Sequence, residues 1–179
     1  MGYTINIEPV LKKEASASIN IDYVIDSGEE LNDYLPVLRA EKIISVKIKG
    51  LIYQKNGMPF IEYEIIAEFT AECARCNKEA PHIIKVSGEK YIADKSDEKS
   101  PDSFESESDD YYVTETAGVI NISDFIREFL GLEVPLRYLC DEECKGLCPN
   151  CGKDLNDGEC SCPKKEKNPA FAVLDNFFK

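Results

Sequence analysis

Eight cysteines in four close pairs, Cys73/Cys76, Cys140/Cys144, Cys148/Cys151 and Cys160/Cys162, constrain this chain more than any other feature. Four thiolates fill the tetrahedral shell of one zinc ion, so eight are the complement of two ions and each pair reads as half a site. A Cys-x-x-Cys or Cys-x-x-x-Cys turn sets two sulfurs on one side of a tight loop, near the spacing that Zn–S bonds of about 2.3 Å require. Disulfides are the competing use of so many thiols. Residues 1–9 carry no basic segment followed by an apolar run, so a reducing, cytoplasmic setting is expected and disulfides are disfavoured. A bridge across the two residues between Cys73 and Cys76 would also close a small, strained ring.

Loop length suggests which half-sites combine. Cys148-Pro149-Asn150-Cys151-Gly152 has the form of a zinc knuckle, with proline stiffening the turn and glycine supplying the positive φ after it. A short loop containing the turn-forming Asn156-Asp157-Gly158 leads on to Cys160-Ser161-Cys162, which makes these four cysteines a local site. Cys73/Cys76 and Cys140/Cys144 lie far apart, so a metal shared between them would clamp the middle of the chain to its C-terminal part. Pairing Cys140/Cys144 with Cys148/Cys151 instead leaves only Lys145-Gly146-Leu147 between the turns, too short to bring two knuckles face to face. Zinc is the expected metal at both sites, with an iron–sulfur cluster the less favoured alternative.

The rest of the chain predicts an α+β fold, an antiparallel β-rich domain with a few helices. Residues 43–55 and 58–70 are alternating, β-branched runs joined by Asn56-Gly57, a strong hairpin signal. Placing Lys55 opposite Met58 sets Val46, Ile48, Gly50 and Ile52 against Ala67, Ile65, Tyr63 and Ile61, a wholly apolar face that must be buried. The opposite face carries Lys47, Lys49, Leu51, Tyr53 and Lys55. Taken alone it resembles a nucleic-acid platform, but Glu62, Glu64 and Glu68 on the partner strand answer its lysines by cross-strand pairing. A third strand is expected over 82–92, so the first Cys-x-x-Cys caps the sheet. His82, the one histidine, is expected to be an ordinary strand residue, and Arg75 to compensate thiolate charge or, less favoured, to contact a phosphate.

Residues 3–7 and 17–25 read as further strands, and Ser27-Gly28-Glu29-Glu30 as a capping box for a short helix ending near Pro36. Ile122, Phe125, Ile126, Phe129 and Leu130 follow the spacing of an amphipathic helix, with Asn121 as N-cap and Gly131 as its stop. A last helix is expected from Asn168-Pro169, carrying Phe171, Val173, Leu174, Phe177 and Phe178. The expected organisation is a β-rich domain over 1–93, an acidic flexible insert over 94–116, a helix on the sheet over 117–139, and a cysteine-rich metal-binding region with a terminal helix over 140–179.

Formal net charge is −13, and residues 94–116 hold nine acids against two lysines, a net of −7. Such a run most simply hydrates and repels, although an acidic arm could engage a basic protein. No compensating basic patch follows, so bulk attraction to nucleic-acid phosphates is not expected. No apolar run approaches the ~20 residues of a membrane span, no carboxylate pair or activated nucleophile marks a catalytic centre, and neither a membrane nor a small-molecule substrate is expected.

The segment 139–156, with Cys144-Lys145-Gly146-Leu147-Cys148-Pro149-Asn150-Cys151-Gly152 at its centre, follows Glu72-Cys73-Ala74-Arg75-Cys76 and precedes Asn168-Pro169-Ala170-Phe171-Ala172-Val173-Leu174. In content and order these motifs resemble the YceD family of bacterial large-ribosomal-subunit RNA accumulation proteins. The resemblance implies a non-enzymatic cytoplasmic factor needed for synthesis, processing or accumulation of 23S rRNA. The acidic stretch and the apolar tail point to ribosomal proteins or a large-subunit precursor as partners, with direct rRNA contact through Arg75, Lys145, Lys153 and Lys164-Lys165-Glu166-Lys167 as the alternative. The resemblance also implies that Cys148, Cys151, Cys160 and Cys162 are an addition which some members lack.

Overall fold

The computed structural model describes residues 3–12, 17–94, 111–114, 116 and 118–163. Its centre is a five-stranded sheet of β2 (Ile19–Ile25), β3 (Lys42–Lys55), β4 (Met58–Glu72), β5 (Glu79–Asp94) and β6 (Tyr111–Thr114), in that spatial order. The first four strands pair antiparallel and β6 runs parallel to β5. β1 (Thr4–Asn6) forms a separate antiparallel pair with β7 (Val119–Asn121). The fold is α+β, and the described residues include three α-helices: α1 (Glu8–Leu11), α2 (Leu35–Leu38) and α3 (Ile122–Glu133).

The β3–β4 hairpin has the register that its Asn-Gly turn dictates, with Lys55 opposite Met58, Ile48 opposite Ile65 and Val46 opposite Ala67. Asn56 and Gly57 both take positive φ, as a tight hairpin turn requires. The register slips by one residue between Ile43 and Ser45. That bulge turns Ile44 out to solvent and lets Ile43 join the buried face opposite Phe69, so an apolar residue is covered that strict alternation would expose.

The buried face of the sheet meets α3. Phe125 and Phe129 both place their ring centroids 4.9 Å from that of Tyr63, and Tyr112 of β6 closes on Phe125 at 4.8 Å. Tyr63 needs room to lie across the sheet, and Gly88 on the neighbouring strand provides it, since a Cβ there would fall 2.8 Å from the Tyr63 hydroxyl. Asn121 caps α3 as its sequence predicts, its Oδ1 accepting from the backbone N–H groups of Ser123 at 3.1 Å and Asp124 at 3.4 Å. Asn121→Ala is expected to lower the stability of the chain by about 1 kcal/mol in urea unfolding, and an unchanged midpoint would contradict that role.

Three local expectations fail for identifiable reasons. Gly131 does not stop α3, which continues to Glu133; a single interior glycine costs only about 1 kcal/mol, and Val134 before Pro135 takes the extended conformation that ends the helix. Ser27 does not cap a helix. A 3-10 turn over Glu29–Tyr34 follows Gly28 without a side-chain cap, and Pro36, rather than ending that element, lies in the first turn of α2. The interval 94–116, read as an insert throughout, ends in a strand, because Tyr111-Tyr112-Val113-Thr114 is a short aromatic and β-branched run that its acidic neighbours conceal. The rest of the acidic run and the helix expected from Asn168 lie outside the described residues.

Candidate metal centres

The turn between β4 and β5 holds Cys73 and Cys76, so the first half-site stands at the end of the two longest strands of the sheet. Tyr138 brings the second half-site to it. Its ring packs 4.8 Å from His82 and 5.4 Å from Phe69, its hydroxyl donates to Leu38 O at 2.8 Å, and its carbonyl accepts from Ala74 N at 2.9 Å. Two residues later comes Cys140. Sequence reasoning missed Tyr138, because a lone tyrosine beside a cysteine carries no periodic signal.

The eight sulfurs fall into two groups of four. Cys73, Cys76, Cys140 and Cys144 form one, Cys148, Cys151, Cys160 and Cys162 the other, and within each group all ligand atoms lie within 4.8 Å of one another. Sulfurs at the corners of a zinc tetrahedron stand about 3.8 Å apart, given Zn–S bonds near 2.3 Å. Here Cys73 Sγ and Cys144 Sγ are 3.8 Å apart, Cys76 and Cys140 3.5 Å, and Cys148 and Cys160 3.3 Å. Both groups therefore have the donor set and spacing to hold a metal ion, and a four-sulfur shell leaves no open position for substrate. Cys73, Cys76 and Cys144 are buried, whereas only Cys148 of the second group is, which makes the second the more accessible.

Backbone amides support the sulfurs. Arg75 N donates to Cys73 Sγ and Asn150 N to Cys148 Sγ, both at 3.4 Å, the repeated feature of the two knuckles. Burial alone would raise the Cys73 thiol, but amides at Cys140, Arg75 and Cys76 outweigh it and the pKa falls to about 6. Amides at Asn150 and Cys151, with the Cys160 thiol, bring Cys148 down to about 6 as well. Conversely, hydrogen bonding with Cys144 and then Cys76 pushes Cys140 up to about 12, and Cys151 does the same to Cys162.

Four thiolates thus resist ionising together without a cation among them. In the reduced, metal-free chain, thiolate absorbance near 240 nm should show an early phase near pH 6 from Cys73 and Cys148, with Cys140 and Cys162 ionising last. Titration of all eight thiols as one ordinary group would contradict this. For Cys73 and Cys148, a pKa below the ordinary thiol value means that their contribution to stability is present at high pH and is lost as pH falls through about 6.

Arg75 has a role that its position between two cysteines did not reveal. Its Nη1 donates to Glu142 O at 2.9 Å and to Cys144 O at 2.8 Å, so it braces one half-site against the other. Its own carbonyl accepts from Leu147 N at 3.2 Å. Gly146 allows that approach, since it takes φ +73° and a Cβ would sit 2.9 Å from Arg75 O. His82 is a strand residue in β5, and burial lowers its pKa.

On the outer face of the sheet, Lys47 pairs with Glu68 at 3.3 Å, as its diagonal position predicts, while Glu64 takes Lys85 of β5 at 2.6 Å. The lysine-rich strand of the hairpin thus forms part of a mixed-charge face. Among the described residues no helix is long and apolar enough to cross a membrane.

Two chloroplast proteins named large ribosomal RNA subunit accumulation protein YCED homolog 1 are similar to part of the chain. The one from Arabidopsis thaliana is 40% identical over 57 residues, 32% of this chain and 18% of its own length. The one from Zea mays is 41% identical over 61 residues, 34% of this chain and 20% of its own. The chain therefore spans about a fifth of the length of these relatives. Similarity to the uncharacterized protein YlbN of Bacillus subtilis (strain 168) is lower, 27% over 161 residues, but extends across 88% of both chains. No solved structure matches. The model of the family described as large ribosomal RNA subunit accumulation protein YceD matches residues 61–178. That interval takes in most of β4, all of β5 and α3, and all eight cysteines, and the chain belongs to the YceD family.

Proposed function

We propose that this chain is a non-enzymatic, zinc-stabilised accessory factor of large-ribosomal-subunit assembly, acting in the cytoplasm to support synthesis, processing or accumulation of 23S rRNA. The family match over residues 61–178 carries the reading, since it encloses both cysteine groups together with the strands and helix that position them. Zinc is the metal that four thiolates in a reducing compartment select, and it acts here as a cross-link rather than a reactant. Cys73, Cys76, Cys140 and Cys144 would hold one ion, and Cys148, Cys151, Cys160 and Cys162 the other.

The site geometry favours action through protein contacts. A redox Cys-x-x-Cys stands at a helix N-terminus, whereas Cys73 and Cys76 stand in a strand-to-strand turn. Direct binding of RNA would draw on Arg75, Lys145, Lys153 and the lysines of residues 164–167; of these, Arg75 is engaged with two backbone carbonyls and Lys153 with Glu159 O at 2.8 Å, while residues 164–167 lie outside the described residues. The partners are then ribosomal proteins or a large-subunit precursor. Affinity capture of the tagged chain from cells should recover such particles, and deletion should lower 23S rRNA relative to 16S. Capture of neither, with unchanged 23S rRNA in the deletion strain, would remove the proposal.

A further inference from the structure

We propose that Asn156 makes the two cysteine centres one thermodynamic unit, so that filling the second raises the metal affinity of the first. This rests on the reading of both groups as metal centres. By sequence Asn156 belongs to the second, in the loop between Cys151 and Cys160. Its side chain serves the other. Nδ2 lies 3.3 Å from Cys144 Sγ, and Oδ1 accepts from Lys145 N at 2.7 Å. A backbone N–H can only donate, so the oxygen must face Lys145 and the amide N–H must face the sulfur.

The short turn that carries Asn156 is docked on the first centre at several points. Asp154 Oδ1 accepts from Asn156 N at 2.8 Å and from its Nδ2 at 2.7 Å, which fixes the side chain. The other Asp154 oxygen meets Lys78 Nζ at 2.7 Å, two residues beyond Cys76. Leu155 N donates to Gly146 O at 2.9 Å. The ends of the same loop belong to the second centre, where Cys148 N donates to Lys153 O at 2.8 Å and Cys160 Sγ lies beside Cys148 Sγ. A metal that ties Cys148 and Cys151 to Cys160 and Cys162 shortens the free loop and so holds the amide at Cys144 with little further ordering. Groups that hydrogen-bond a metal ligand tune affinity by roughly 10- to 100-fold. Linkage is reciprocal, so metal at the first centre must tighten the second by the same factor.

The test loads the full chain with cadmium-113 and titrates a chelator, following each centre by its own NMR resonance, assigned with Cys73→Ser and Cys148→Ser. Asn156→Ala should shift the resonance of the first centre and weaken its hold on cadmium roughly tenfold or more. Paired Cys160→Ser and Cys162→Ser substitutions should weaken the first centre to a similar degree. Combining all three should weaken it no further, because both changes remove one contact. An unmoved resonance with unchanged affinity in Asn156→Ala, or effects that multiply, would overturn the coupling while leaving two metal centres intact. A wild-type chain that takes up no metal would overturn both readings. Retained near-ultraviolet dichroism in Asn156→Ala shows that the sheet has survived the substitution.

Discussion

Serine in place of Cys73 is expected to remove about 4 kcal/mol of unfolding free energy, by the chain-entropy relation for a cross-link closing a loop of this length. Cys76 and Cys140 are 64 positions apart, and a metal at the first centre would tie the end of the β4–β5 pair to the segment after α3. Without that tie the unfolded chain regains the freedom of the whole intervening stretch. A domain holds only about 5–15 kcal/mol in total, so the variant should unfold at much lower urea. Chelator should bring the wild type down towards the variant and change the variant little. Cys148→Ser opens a loop of only 12 positions between Cys148 and Cys160, for which the same relation gives about 3 kcal/mol. A greater loss in Cys148→Ser than in Cys73→Ser would contradict the assignment of the first centre as the clamp.

Phe125→Ala should cost about 3–5 kcal/mol, because the side chain is fully buried and the rings around it cannot close the space it leaves. It touches Tyr63 of β4, Tyr112 of β6 and Phe129 of its own helix, so its loss loosens α3 from two strands of the sheet at once. Ile83, on β5 and 70% exposed, supplies the contrast. Ile83→Ala should fall within about 0.5 kcal/mol of wild type. Calorimetric melting of the two variants checks both values, and equal losses would show that α3 is not the lid of the core.

The parts of the fold that sequence made legible are those with a local or periodic cause. A side-chain period of two, with Asn56-Gly57 to set the phase, gave the β3–β4 register from Lys55 back to Ser45, and helical spacing with Asn121 marked the face and start of α3. Loop length was enough to suggest the two sulfur groups. What escaped depends on contacts between segments distant in the chain. The bulge at Ile44 answers to Phe69 across the sheet, and Gly131 is tolerated inside a helix whose end is set by Val134-Pro135. β6 needs β5 to pair with before four residues count as a strand. Tyr138 and Asn156 are ordinary residues in the sequence, and only the folded chain brings one under the first half-site and the other against Cys144.

Grouping also bears on how the two centres behave. Loop lengths alone mark one as a local site and the other as a clamp, and the Lys78 to Asp154 ion pair and the Asn156 contact join the two. Loss of the second centre then reaches the first through one side chain, which is a smaller and more specific effect than unfolding.

Metal content per chain decides whether sulfur-bound ions are the architecture of this protein. Freshly purified, fully reduced chain should carry two zinc ions by elemental analysis, falling to one in Cys73→Ser and to one in Cys148→Ser. A folded wild-type chain with no bound metal would contradict it.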